Sequence, residues 1–237
     1  MRAARDAGIP FVIATGRMFR SVKRYVDQLE LDGLVVCYQG AVVADASGRF
    51  LRHVTIPLEL AREAIAAIAG RHHVNCYVGD ELYVETVTEE ARRYADFQHL
   101  PIHPVGDLLD WLDEPPTKLV VVGEPKTMDA LELELKGVFD DRLYISKSLP
   151  EFLELAATEV TKATGFALVA EELGVPLDRV VAFGDGENDV ELLESVGYAV
   201  AVANAHERVL AVADFVCPPV AEEGVAQVLE AALDSRE

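Results

Sequence analysis

The sequence predicts an α/β fold: a doubly wound parallel sheet with helices on its faces, interrupted by an inserted α+β module. Four short runs, at 11–14, Leu34–Cys37, 180–183 and Tyr198–Val202, are apolar throughout. Strands buried on both faces, as in parallel sheets, read this way. Three of these runs lead into helix-like patterns, at 21–29, 190–196 and Glu207–Val212, and such alternation builds a parallel sheet. Between about 55 and 155 the pattern changes to helices mixed with strand-like runs, which marks the insertion.

Taken in order, the first eight residues look like the last turns of a helix closed by Gly8. After the second strand, turns at Gln39-Gly40-Ala41 and Ala46-Ser47-Gly48 suggest a hairpin near the first junction. Within the insertion, Leu58–Ile68 carries apolar residues at helical spacing, and Thr88 is a natural cap for a helix opening at Glu89. Strand-like runs follow at 76–78, 82–85, Lys118–Val122, 143–146 and Phe152–Ala156. Thr161 caps a further helix over 166–173, stopped by Gly174-Val175-Pro176. The expected domains are a discontinuous core, 1–54 and 156–237, and an inserted α+β domain, 55–155.

Composition narrows the function. With 237 residues, 51% of them hydrophobic, the chain can bury a sizeable core. Its net charge of -20 argues against a basic face for nucleic acid. No apolar run approaches the ~18 residues that span a bilayer, so no membrane partner is expected. Cys37, Cys76 and Cys217 fit neither a disulfide framework nor a zinc spacing. They are expected as reduced, buried thiols of a cytoplasmic protein. His72 and His73, and the pair His99 and His103, are read as solvated or packing residues, since Pro101 and Pro104 spoil a shared helical face.

Three elements can carry chemistry. Asp185 and Asp189 lie in Gly184-Asp185-Gly186-Glu187-Asn188-Asp189, directly after a strand. This is the end of an open α/β sheet where ligands bind. Mg2+ favours oxygen ligands, with one or two carboxylates beside water and phosphate. Thr15, Gly16 and Arg17 follow the first strand, where a hydroxyl and glycine N–H groups can hold phosphate oxygens. Lys162, beside the Thr161 cap, can place a point charge on a phosphate.

The order of these elements resembles the haloacid dehalogenase superfamily, specifically its Cof-type sugar-phosphate phosphatases, along essentially the whole chain. The family's second motif matches Ala14-Thr15-Gly16-Arg17, its third Thr161-Lys162-Ala163, and its fourth Gly184 to Asp189. The resemblance implies a Rossmann-like core with an α+β cap that closes over the leaving group. It implies Mg2+-dependent hydrolysis of small sugar or metabolite phosphomonoesters through an aspartyl-phosphate. Thr15, Gly16 and Arg17 would bind phosphate. Lys162 would hold it and steady the nucleophile, and Asn188 would hydrogen-bond the phosphate or the lysine. Asp185 would be the direct Mg2+ ligand, with Asp189 a further ligand or its support. The family's Asn-Gly-Ala stretch corresponds to Gln39-Gly40-Ala41.

One motif is not matched. The nucleophile motif, Asp-x-Asp-Gly-Thr, does not occur in these 237 residues. At family spacing its strand would precede Met1 and lie between the strands at 11–14 and 180–183. The expectation is an N-terminally truncated form of the enzyme. The alternative is a non-catalytic relative that binds phosphate or a protein partner. Expected partners are a small phosphorylated metabolite, with neither nucleic acid nor membrane, and the chain is monomer or homodimer.

Overall fold

In the computed structural model, which describes residues 2–234, the chain begins with α1 (Arg2–Asp6), closed by Gly8 at φ 75°. β1 (Ile13–Ala14) is shorter than the expected 11–14. It pairs in parallel with β2 (Leu34–Cys37) on one edge, and no ladder forms on the other among the described residues. Between them, α2 (Phe19–Gln28) buries Val22 and Val26 one turn apart. β2 turns back through Tyr38–Gly40 into antiparallel β3 (Val42–Asp45). β4 (Phe50–His53) completes a four-stranded sheet in the order β1-β2-β3-β4. The β3–β4 turn is an Asx turn, with Asp45 accepting hydrogen bonds from the Ser47 and Arg49 N–H groups at 2.9 and 3.1 Å.

The inserted stretch builds its own sheet. α3 (Leu58–Ile68) is followed by the hairpin of β5 (His73–Val78) and β6 (Glu81–Val84). α4 (Glu89–Gln98) starts at Thr88, whose hydroxyl accepts the Ala91 N–H at 3.2 Å. β7 (His103–Pro104), α5 (Leu108–Trp111) and β8 (Lys118–Val122) follow. Then come α6 (Pro125–Phe139), β9 (Tyr144–Leu149) and β10 (Phe152–Ala156). The strand order is β7-β6-β5-β8-β10-β9, antiparallel except for β6 with β7. The sequence expectations include no element over α6, where Leu131, Leu133 and Leu135 alternate with Glu132 and Glu134. The helix buries Met128, Leu131, Leu135 and Phe139 and leaves Leu133 76% exposed. Spacings of three and four residues decide its inner face.

Alternation separates the two faces of this sheet. Val74, Cys76, Leu119, Val121, Leu153 and Leu155 join the buried faces of α3 and α6 in one core. Burial pushes the Cys76 thiol up to about 12, which leaves it protonated and inert. The opposite face holds a polar chain. Lys118 Nζ lies 3.2 Å from Glu154 Oε2, with side chains 5% and 12% exposed, and the Tyr77 hydroxyl donates to that of Tyr94 at 2.6 Å. Glu154→Ala removes the carboxylate that faces the buried ammonium and is expected to destabilise this part of the protein by about 3 kcal/mol. The double variant Lys118→Met with Glu154→Met removes both charges and is expected to cost less. The single tryptophan, Trp111, lies 4.3 Å from the Tyr83 ring in this same sheet region. Urea titration followed by its fluorescence reads both effects, and a Glu154→Ala loss under 1 kcal/mol would contradict the account.

α7 (Lys162–Glu172) leads to β11 (Val181–Gly184), α8 (Val190–Ser195), β12 (Tyr198–Val202) and α9 (Glu207–Val212). β13 (Phe215–Cys217) and α10 (Gly224–Asp234) complete the described chain. β11, β12 and β13 form a separate, wholly parallel sheet, with Val181 opposite Tyr198 and Val200 opposite Phe215. The parallel strands thus lie in two separate sheets, with β1 and β11 each at a sheet end. One apolar cluster joins them: Val36 and Val43 from the first sheet and Ala182, Ala199 and Ala201 from the second meet Phe166, Val169 and Ala170 of α7.

The chain divides into two compact units. The first is Met1–Gly16, Lys23–Leu51 and Thr161–Glu237; the second is Arg17–Val22 and Arg52–Val160. No helix among the described residues is long and apolar enough to cross a membrane.

Candidate active site

In the first unit, the C-terminal ends of β1, β2 and β11 and the start of α7 carry the residues singled out in the sequence. β1 runs into Thr15 and Gly16. The Thr15 N–H donates to Val36 O at 2.9 Å, and the Thr15 carbonyl accepts the Gln39 N–H at 3.1 Å, so this loop is tied to the end of β2. Gly16 lies under the Gln39 side chain: a Cβ there would lie 2.4 Å from Gln39 Nε2, so that side chain would have to move.

α7 starts at Lys162 because Thr161 is extended, at φ -137° and ψ 160°, and forms a reciprocal capping box with Thr164. The Thr161 hydroxyl accepts the Thr164 N–H at 3.2 Å, and the Thr164 hydroxyl accepts the Thr161 N–H at 3.1 Å. The helix thus begins four residues earlier than the expected 166–173, and Lys162 lies in its first turn. A cation there opposes the helix dipole, and Lys162 is also buried, at 7% exposure. Asp189 compensates for both: Lys162 Nζ donates to Asp189 Oδ1 at 2.6 Å, and both side chains are 8% exposed. The second carboxylate oxygen of Asp189 accepts the N–H groups of Asp185 and Gly186 at 3.0 and 3.1 Å. Asp189 therefore folds the acidic turn around itself and holds the lysine. Both of its oxygens are engaged with protein donors.

Asp185 is different. Its carboxylate is exposed, while its backbone carbonyl accepts the His206 N–H at 2.8 Å and fixes the strand end. Among the described residues, no cluster of three or more His, Cys, Asp and Glu side chains is arranged to hold a metal ion. One open carboxylate at a strand end fits Mg2+, which keeps several waters and takes one or two carboxylates beside a phosphate. Asn188 is exposed, and its Nδ2 donates to Gln39 Oε1 at 2.9 Å rather than meeting the lysine.

Arg17 falls in the second unit, where its guanidinium donates to Gln98 Oε1 at 3.2 Å and to the Ser21 hydroxyl at 3.4 Å, and lies over the Phe97 ring at 5.1 Å. Among the histidines, His103 Nε2 pairs with Glu81 Oε2 at 3.1 Å, and His73 Nε2 with Asn75 Oδ1 at 2.9 Å. Burial lowers the His73 pKa, which favours the neutral ring.

Gln39 is the residue that sequence reasoning passed over. The available signal was its place one residue beyond a strand, before a glycine, in the stretch aligned with the family's Asn-Gly-Ala.

The arrangement offers a lysine ammonium with two N–H donors left beyond Asp189, glycine and threonine backbone, a carboxamide and an open carboxylate. These groups suit an anion carrying several oxygens. The family model of haloacid dehalogenase-like hydrolases matches residues 1–229. The 5-amino-6-(5-phospho-D-ribitylamino)uracil phosphatase YitU of Bacillus subtilis is 29% identical over 236 residues, covering 95% of this chain and 86% of that protein. A protein of Haemophilus influenzae described as a putative phosphatase is 29% identical over 227 residues, covering 94% and 85%. Among solved structures, TM0651 from Thermotoga maritima superposes with a TM-score of 0.85 at 29% identity, covering 97% of this chain and 88% of that one. A haloacid dehalogenase-like hydrolase from Bacteroides thetaiotaomicron gives 0.88 at 26% identity, covering 96% and 88%.

Proposed function

The chain belongs to the haloacid dehalogenase-like hydrolases, and from that membership we propose that its first unit is the phosphate-handling centre of a Mg2+-dependent phosphatase acting on small sugar or metabolite phosphomonoesters. By family it is a phosphoric monoester hydrolase. The observation that carries the reading is the buried Lys162–Asp189 pair at the head of α7, facing the acidic turn after β11. A buried cation in the first turn of a helix conflicts with local rules, and such conflicts are expected at functional sites.

In this reading the Lys162 ammonium binds phosphate oxygens, held in place by Asp189. The Thr15 and Gly16 loop and the Asn188 amide complete the oxygen contacts. The reading leaves Arg17 outside them, because its guanidinium is engaged with Gln98 and Phe97. Asp185 would hold Mg2+, which when bound neutralises charge on the phosphoryl oxygens. The substrate class follows the names of the relatives, of which YitU is one for a phosphorylated ribityl compound. The motif Asp-x-Asp-Gly-Thr, which carries the attacking carboxylate in the family the sequence resembles, does not occur in these 237 residues.

Titration calorimetry with orthophosphate in Mg2+ tests the site. Lys162→Met and Asp185→Ala are each expected to weaken binding at least about tenfold, the size of one lost charge-assisted contact. Phosphate affinity unchanged in both variants would reject the site. With p-nitrophenyl phosphate, turnover by the 237-residue chain is expected to equal that of Asp185→Ala. Turnover that needs Mg2+ and Asp185 would place the nucleophile within these residues after all.

A further inference from the structure

Three successive residues at the end of β2 have positive φ: Tyr38 at 50°, Gln39 at 59° and Gly40 at 104°. Two of them are not glycine, and left-handed backbone in such residues persists only where its surroundings fix it. Tyr38 is buried, the Gln39 N–H is bonded to Thr15 O, and Gly40 lies against the Thr161 carbonyl. The effect of this backbone is to turn the Gln39 side chain across the strand ends. Its Oε1 accepts the Asn188 Nδ2 hydrogen bond at 2.9 Å, from a residue 149 positions away. Its Nε2 lies over Gly16, 2.4 Å from where a Cβ would stand. On its other side, the Asn188 amide rests on Gly186, where a Cβ would lie 2.7 Å from Asn188 Oδ1.

We infer that Gln39 is the clamp of the phosphate site: its carboxamide joins the Thr15–Gly16 loop to the acidic turn, fixes the Asn188 amide, and presents Nε2 to the bound phosphoryl group. This role rests on the phosphate reading above. A carboxamide suits it because one end accepts from Asn188 while the other donates to an anion. A carboxylate at the same place keeps the first contact and repels the second partner.

The test is orthophosphate calorimetry in Mg2+ on the whole chain, with melting followed by circular dichroism. Gln39→Glu is isosteric and is expected to keep its melting temperature within a few degrees while losing at least about tenfold in affinity. Gln39→Gly relieves the left-handed backbone, so it folds, and is expected to lose about tenfold. Gln39→Asn, a residue that tolerates left-handed φ, is expected to regain most of that loss. If the unaltered chain binds phosphate in a Lys162-dependent way and Gln39→Glu and Gln39→Gly bind equally well, Gln39 is a structural residue only and the inference is overturned. If the unaltered chain shows no phosphate binding, the reading of the site and this role fall together.

Discussion

Lys162→Ala is expected to weaken phosphate binding at least about tenfold and to cost the first unit about 3–5 kcal/mol, the range for breaking a buried ion pair from one side. The stability loss comes from Asp189. Its carboxylate is 8% exposed, and Lys162 is the only side-chain donor it has among the described residues. Two backbone N–H groups remain on the other oxygen, which places the loss toward the lower end. Function and stability separate in a double variant. With Lys162→Met and Asp189→Asn together, no charge is stranded, and the Asn carbonyl still accepts the two N–H groups. That protein is expected to regain most of the stability and none of the phosphate affinity, a non-additivity typical of residues in contact. Urea denaturation followed by circular dichroism gives the first quantity and calorimetry the second. Full phosphate affinity in the double variant would mean that Lys162 is there for the fold.

Gly40→Ala is expected to destabilise the first unit by about 3 kcal/mol or more. Gly40 has φ 104°, which an L side chain resists by about 1–2 kcal/mol. An added Cβ would lie 2.0 Å from the Thr161 carbonyl oxygen and 2.7 Å from its carbon, both backbone atoms, and overpacking adds about 1–3 kcal/mol. The consequence reaches the site. The Thr161 carbonyl accepts the Gly165 N–H at 3.1 Å as the first bond of α7, and that turn carries Lys162. Phosphate affinity should fall with stability. Gly165→Ala is expected to act similarly from the other side, since its Cβ would meet Gly40 Cα and Val36 Cγ1, each at 2.7 Å. A Gly40→Ala protein within 1 kcal/mol of the parent would show that α7 can shift without cost, against the close approach described here.

Some of this was legible in the residues. The strands after which Thr15 and Asp185 stand announce themselves as apolar runs, and glycine-rich turns at their ends are local signals. The Thr161 cap and the Gly184 to Asp189 turn are equally local, since their hydrogen bonds join residues three or four apart. Longer-range features were not legible. β1 is limited to Ile13–Ala14 and bonded on one edge, because strand length depends on the neighbour that bonds it. The 15 residues of α6 hide behind an alternating Leu pattern, and only packing shows that Leu133 points out.

The sequence by itself determined which chemical groups this protein brings to its strand ends: a threonine–glycine loop, a lysine beside a helix cap, and two aspartates in one turn. Each is encoded within a few residues of backbone, where sterics and short-range hydrogen bonds decide conformation. Only the tertiary structure decided which groups work together. Lys162 meets Asp189 across 27 residues and Gln39 meets Asn188 across 149. Those pairings follow from the docking of α7 on both sheets and the left-handed turn after β2. Such contacts depend on burial and on closing long loops, so no short stretch of sequence records them.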